Sequence, residues 1–297
     1  MNDRKQHVIN KSHELFIDKG FQATSIQDIL DYSGISKGTF YNYFSSKNEL
    51  LIALFMSIYK KLEKDRNELL IGHSPTDIEV FIKQVELQMN TCHANNVASL
   101  IKEVSSSNDL EMKQYIRLGN LKFISWYYYR FIDLFGERQR EHLLDCAIMF
   151  MGLLTSNLKY FAMANEQNAH GGIYHVVKYS VERIQCMVKD VSQNEKPLFP
   201  PDLLEVWLPE CKNCKEHFQK KLYHSILELK KGISIEENIP KLAQLLDFVQ
   251  DELLSSQNPR KFLIESTLDS LRLEQGDSET WHDELKRLEQ LISDYLS

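Results

Sequence analysis

Residues 24–51 read TSIQDILDYSGISKGTFYNYFSSKNELL, and this stretch decides how the N-terminal part of the chain folds. It holds three helix-start signals. Thr24 with Gln27 has the spacing of a capping box, Ser36 can cap the next segment, and Ser46 with Glu49 repeats the box, each supplying a side-chain oxygen to the orphan N–H groups of a first helical turn. Starts so close together, with Gly34 between the first two, leave room only for short helices and a tight turn, which is helix-turn-helix geometry. Ile26, Ile29, Leu30, Ile35, Phe40 and Phe44 can then close a small core against the preceding segment. There Val8, Ile9, Ser12, Leu15 and Phe16 fall on one helical face and Gly20 ends the helix.

The second short helix keeps Lys37, Thr39, Asn42 and Tyr43 facing outward, with Tyr41 at the flank. One cation, a hydroxyl, an amide and two phenols suit base edges and phosphates, although a solvated helix face or core aromatics would use the same residues.

The runs T-S-I-Q-D-I, S-G-I-S-K-G-T-F-Y-N-Y-F and S-S-K-N-E-L-L resemble the N-terminal domain of TetR-type transcriptional repressors over about residues 4–55. Leu30 and Ser33 depart from that pattern, standing where the family usually has alanines. The resemblance implies a double-stranded DNA interface. In it Lys37 and Thr39 meet base edges, Tyr41 and Tyr43 meet phosphates, and Lys47 brings a cation to the start of the next helix. Thr24, Ser36, Gly38 and Asn42 complete the set. Thr24 and Lys47 would lie at helix N-termini, where free N–H groups favour a phosphate, and Gly38 would let the backbone approach the groove. The resemblance also implies a homodimer on a palindromic operator, with half-sites an integral number of turns of about 34 Å apart.

The rest of the chain reads as helical throughout, giving an all-α fold. The expected organisation is a three-helix DNA-binding domain at 1–47, a helical ligand-binding and dimerisation domain at 48–192, a Pro-rich linker at 193–209 and a further helical domain at 210–297. Leu50, Leu51, Leu54, Phe55, Ile58 and Leu62 predict a long amphipathic helix to about Ile71, the expected mechanical link out of the head. Ser74-Pro75 reads as a helix start with Pro at its first position. Further helices are expected over 95–106, 109–135, 137–164 and 169–191, the last two building the dimer interface that the resemblance implies.

Phe123 to Phe131 is the densest aromatic stretch. Four adjacent aromatics in a helix sweep roughly 300°, so they cannot share one core stripe. Phe123, Trp126, Tyr127, Tyr128 and Phe131, with Met149, Phe150 and Tyr160 opposite, are the expected lining of a cavity for an unknown small apolar or aromatic effector, against the competing reading of core and interface packing.

Four of the seven prolines fall at 197, 200, 201 and 209. Beyond them, helices are expected near 210–231 and 235–255, then one opened by Asn258-Pro259 and one opened near Asp277-Ser278. Leu242, Leu245, Leu246, Val249, Leu253, Phe262, Leu263, Leu268 and Leu271 supply apolar faces for a small bundle.

Charge and composition narrow the function. The net charge is −7, but residues 36–66 carry six basic against three acidic side chains, while the chain from Pro197 onward carries 12 against 19. The acid is remote in sequence from the DNA-reading stretch. The N-terminus lacks an apolar core, and the longest apolar run, Cys146–Leu154, is half the roughly 18 residues a spanning helix needs, so a cytoplasmic protein with no membrane partner is expected. Cys211-Lys212-Asn213-Cys214 with His217 has metal-like spacing. His224, however, lies about 15 Å from Cys214 along a straight helix, so no metal or cofactor is expected. No nucleophile–base pair, phosphate loop or HExxH helix points to an enzyme.

Overall fold

The computed structural model describes residues 3–105, 109–164, 172–191, 196–208, 214–233, 239–255, 259–274 and 279–296. Every regular element among them is helical. The chain divides into two compact units, 1–204 and 205–297.

The first unit starts with α1 (Asp3–Lys19), α2 (Ile26–Ser33) and α3 (Lys37–Tyr43). Helix α1 buries Val8, Ile9, Ser12, Leu15 and Phe16, the face its spacing predicts, and Gly20 at φ 82° closes it by donating its N–H to the Phe16 carbonyl. The cap of α2 is one residue later than expected. Ser25, not Thr24, is the N-cap. Its Oγ accepts from the Asp28 N–H, and the Asp28 carboxylate accepts from the Ser25 N–H at 2.8 Å. A charged carboxylate gains more from the helix N-terminus than the Gln27 amide could, which favours this register. At the other end Gly34 takes φ 68°, a left-handed value that suits glycine, and returns its N–H to the Leu30 carbonyl. Leu30 and Ser33 are both buried, and the Ser33 hydroxyl is satisfied by the Ile29 carbonyl.

Helix α4 (Lys47–Glu68) is capped by Ser46, whose Oγ accepts from Glu49 N–H. The Glu49 carboxylate reaches back to the Ser45 N–H rather than to the Ser46 N–H that a capping box would use, again a shift of one residue. The next helix, α5 (Ile78–Ala94), starts later than Ser74-Pro75. Asp77 is its N-cap, accepting from the Glu79 and Val80 N–H groups, while the Ser74 hydroxyl folds onto Thr76 N–H in a turn before it. Asp caps more strongly than Ser-Pro because its charge adds to the helix dipole.

Then come α6 (Val97–Ser105), α7 (Leu110–Phe135), a 3-10 turn (Glu137–His142), α8 (Leu143–Ala164) and α9 (Ile173–Val191). Helix α8 packs between α7 and α9, and α5 also lies against α9. The Pro-rich stretch is tied down where it begins. The buried Asp145 carboxylate on α8 accepts from the Leu198 and Phe199 N–H groups at 2.8 and 2.7 Å. A five-residue helix, α10 (Leu203–Trp207), spans the division between the units.

The second unit contains α11 (Cys214–Lys231), α12 (Ile239–Ser255), α13 (Lys261–Glu274) and α14 (Glu279–Leu296), each packed on the next, with α11 also on α14. Their core repeats at helical spacing: Phe218, Leu222, Ile226 and Leu229; Leu242, Leu246, Val249 and Leu253; Ile264, Leu268 and Leu271; Trp281, Leu285, Leu288 and Ile292. Phe218 stacks on Tyr295 at 3.7 Å. The α13 face differs from the expected one. Phe262 is 77% exposed and Leu263 is at the surface, while Ile264 takes the core position, because Ile264 and not Phe262 is in helical phase with the buried Leu268 and Leu271. Cys211, Asn258, Asp277 and Ser278 and the side chains of Cys214, His217 and His224 lie outside the described residues.

Two predictions follow from the anchoring contacts. Asp145→Ala removes two charge-assisted hydrogen bonds and is expected to destabilise the first unit by about 2 to 3 kcal/mol in urea unfolding, with faster proteolytic cleavage near 196–204. Asp28 is held below its ordinary carboxylate value by the Ser25 hydroxyl, the Ser25 N–H and Lys19. Its stabilisation is therefore present above about pH 4 and lost as pH falls through the depressed value, and Asp28→Asn should flatten the acid side of the head's unfolding profile.

Candidate nucleic-acid interface

The residues expected at the interface separate into three groups. Lys37, Gly38, Tyr41 and Asn42 are exposed and fall at i, i+1, i+4 and i+5 of α3, one continuous outer face, with Ser36 exposed at its N-cap. Phe40 on the opposite side is buried, so the outer face is fixed by core packing and not by the short helix's own stability. Tyr41 packs edge-on against Phe40 at 5.4 Å, which holds its ring while its far end stays in solvent.

Thr39 and Tyr43 form a second, half-buried row. The Thr39 N–H donates to Ser36 Oγ at 3.1 Å, and the two hydroxyls lie 2.9 Å apart. The cap thus orients the Thr39 side chain as well as ending the helix. Tyr43 rests against the head's core beside Phe44.

Thr24 and Lys47 form the third group, and their roles change. Thr24 is 1% exposed; its hydroxyl donates to the Gly20 carbonyl at 2.7 Å. The Lys47 ammonium turns inward, donating to the Phe21 and Thr24 carbonyls at 2.8 and 2.7 Å while lying 4.4 Å from the Phe21 ring centre. Burial lowers its pKa, partly offset by the charge of Glu103. Two of the three ammonium protons are thereby committed to the α1–α2 connection, so Lys47 acts first as a clamp holding α2 against the start of α4. The correction has a physical cause: the Gly20–Thr24 turn leaves carbonyls without helical partners, and the nearest cation satisfies them.

Gly38 has a separate meaning. A Cβ built there meets nothing nearer than Ser36 Oγ at 3.9 Å, so no packing within the chain requires glycine.

Contacts that sequence spacing did not reveal seat the head on the helices beyond it. The head's core takes in Leu100 and Val104 of α6 and Met112 of α7, with Ile116 packed against it. Around this apolar joint the Gln22 N–H donates to the Glu103 carboxylate at 3.0 Å, the Asn48 amide donates to Asp109, and a His13 ring nitrogen lies 3.2 Å from the Asn95 carbonyl. Asp109 is also the N-cap of α7, accepting from Met112 N–H. Its Asp-x-x pattern before an apolar run was the one legible signal.

The expected effector-lining residues also divide. Tyr127, Tyr128, Phe131 and Phe150 are buried, and Phe123, Trp126 and Met149 are half-buried. Phe81 of α5 brings Trp126, Phe131 and Phe150 together at 5.6–5.9 Å, and Tyr127 meets Phe150 edge-on at 5.0 Å. Tyr160 leaves this set. It is 62% exposed near the C-terminal end of α8, as is Met163.

A model of bacterial regulatory proteins of the tetR family matches residues 8–54. The chain is 28% identical over 281 residues, covering 91% of its own length and 90% of the relative's, to YerO, an uncharacterized HTH-type transcriptional regulator from Bacillus subtilis (strain 168). It is 24% identical to YuxN, a second uncharacterized HTH-type regulator of the same organism, over 66% of this chain and 67% of that one. It is 28% identical over 60 residues, 20% of this chain and 30% of the relative, to the HTH-type transcriptional repressor DhaR of Mycobacterium sp. (strain GP1). No solved structure matches.

Gly38→Ala gives two readouts of opposite sign. Thermal stability should rise slightly, since alanine favours a helix over glycine by up to about 1 kcal/mol, while DNA affinity falls at least tenfold in a fluorescence-anisotropy titration. Lys37→Ala should weaken binding and reduce the salt slope by about one, whereas Thr39→Ala should alter preference at one base position by about 1 to 3 kcal/mol. Unchanged binding in all three would reject the interface.

Proposed function

We propose that the chain, whose residues 8–54 match the tetR-family model, is a TetR-type DNA-binding transcriptional regulator and a cytoplasmic homodimeric repressor, released from a palindromic operator by a small apolar or aromatic effector bound in the domain over 48–192. The observation carrying this reading is the shared core. Leu100, Val104 and Met112 belong to helices of the effector domain yet are buried with the head. A ligand that binds more tightly to a conformation with α6 and α7 shifted therefore moves α3 relative to its dimer mate and lowers operator affinity. DNA contacts are assigned to Ser36, Lys37, Gly38, Thr39, Tyr41, Asn42 and Tyr43, with Lys47 and Thr24 positioning α2.

Dimerisation is assigned to α8 and α9. The stretch Glu137–Ala164 is long and apolar enough to cross a membrane by length and composition, yet only 22% of its most apolar part is buried within one chain. Helix α8 packs between α7 and α9, and Tyr160 and Met163, with Tyr179 of α9, leave apolar surface for a second copy to cover.

A second reading has its own observation. On α13 the exposed Phe262 and Leu273, 77% and 86% accessible, lie eleven residues apart, almost on one helical face. That face supports regulation by a protein partner through residues 205–297.

Selection of bound DNA from a random pool, followed by a small-molecule screen for operator release, tests the first reading. A palindromic consensus and at least one releasing compound are expected; a screen in which nothing releases the operator while Phe262→Ser/Leu273→Ser changes regulation would favour the second. Tyr160→Asp/Met163→Asp should yield a monomer by light scattering and lose operator affinity at least a hundredfold.

A further inference from the structure

The aromatic core of the effector domain contains a buried cation. Arg66, near the C-terminal end of α4, is 1% exposed. Its guanidinium carbon lies 4.0 Å from the Trp126 ring centre, so the indole covers one face of the plane. Nη1 donates to the Gln88 side-chain oxygen at 3.1 Å, and the Gln88 amide donates to Tyr127 Oη at 2.9 Å. Nε has no hydrogen-bond partner. Among the described residues no carboxylate lies within ion-pair distance of this guanidinium; the Tyr59 hydroxyl and the charge of Glu63, one turn back, also act on it.

Its neighbour in the same core has a carboxylate, although Arg130 Nη2 is likewise without a hydrogen-bond partner. Arg130, 3% exposed, donates to Asp133 at 2.8 Å, to the Pro75 carbonyl at 3.0 Å and to Gln84 at 3.1 Å. Gln84 in turn donates to the Arg66 carbonyl at 2.8 Å, so both arginines belong to one polar network. Arg130 has its carboxylate and Arg66 does not. A buried, unneutralised charge is costly by several kcal/mol, which a fold retains most readily where an anion is to be received.

Access has a direction. Helix α4 packs more closely on α5 than on α7. The seam between α4 and α7 is filled by half-buried rings instead: Tyr59 against Phe123 at 5.8 Å, and Phe55 stacked on Tyr115 at 6.3 Å. These rings run along the seam toward Trp126, itself half-buried, beneath which Arg66 lies. With one face covered, the guanidinium offers its edge, and the unpartnered Nε belongs to the edge a carboxylate engages with two parallel hydrogen bonds.

We propose that the effector is an amphipathic carboxylate: its acid group pairs with Arg66 and its apolar body lies along the α4–α7 seam, displacing Tyr59 and Phe123. This rests on the effector reading above and adds the charge of the ligand. Pairing draws α4 toward the ligand and away from its present seat, so binding at Arg66 is felt at Lys47 and Asn48 at the other end of the same helix.

The test uses full-length protein on its selected operator with four probes: 4-phenylbutanoate, octanoate and their uncharged carboxamides. Calorimetric binding and operator release are measured for the unsubstituted protein, Arg66→Met and Arg66→Lys, each first checked for folding by circular dichroism and for ligand-free operator affinity. At least one acid is expected to bind ten times more tightly than its amide. That preference should vanish in Arg66→Met and shrink in Arg66→Lys, which keeps the charge but loses the fork. Preference for 4-phenylbutanoate identifies an aromatic acid, and preference for octanoate an aliphatic one. Equal binding of acid and amide, a preference that survives Arg66→Met, or no binding of either acid at 5 to 10 mM (roughly the weak limit of a buried ion pair with a small ligand) overturns the proposal. Failure of the effector reading itself looks different: then no compound of either charge in the wider screen moves operator affinity. Failure of the charge assignment alone leaves neutral compounds active.

Discussion

The DNA-reading head does not close its own core. Helices α1 to α3 and the residue after them bury Val8, Ile9, Phe16, Ile29, Phe40 and Phe44, and the core is completed by Leu50, Leu51 and Leu54 of α4, Leu100 and Val104 of α6 and Met112 of α7. A domain of fewer than fifty residues buries too little surface to be stable alone, so borrowing apolar side chains from the next domain solves a stability problem. It also creates coupling, because packed interiors transmit displacement: α6 cannot shift without moving the floor under α3. Helix α4, the link that sequence periodicity singles out, is one of two routes, and α6 with the start of α7 is the other.

Polar groups around the joint fix its register. Lys47 binds the Phe21 and Thr24 carbonyls, Asn48 reaches the cap of α7, and Gln22 meets Glu103. All lie where α4 leaves the head, so the first turn of α4 holds the α1–α2 connection on one side and the start of α7 on the other. The exposed face of α3, with Lys37, Tyr41 and Asn42, is the one proposed to meet DNA. With few cations in that set, specific contacts and two-fold repetition would supply affinity, rather than a broad basic surface.

Deeper in the first unit, the rings of α5, α7 and α8 pack on one another, with two buried arginines among them. Hydrophobic periodicity identified this region as aromatic and helical but carried no information about Arg66 and Arg130. A basic residue in an amphipathic helix ordinarily extends to water, and only the crossing of α4 over Trp126 keeps Arg66 from doing so. The same limit explains Tyr160. Its place on an apolar helix was legible, but whether another helix covers it depends on tertiary packing, which leaves it 62% exposed.

The sequence by itself determined the local elements: helix existence, the buried face of α1, the Gly20 and Gly34 terminations, and the order of residues that carries the TetR resemblance, because these depend on interactions within about one or two turns. It misplaced the caps of α2 and α5 by one to a few residues, where neighbouring Ser, Thr and Asp side chains compete for the same N–H groups and a carboxylate wins. Only the tertiary structure decided that Thr24 and Lys47 face inward, that Asp145 holds the Pro-rich stretch, that Phe262 is outside and Ile264 inside, and that Arg66 lies buried without a carboxylate. For Lys47, Asp145 and Arg66 the deciding groups lie tens of residues away, whose partners are chosen by helix packing and not by spacing along the chain.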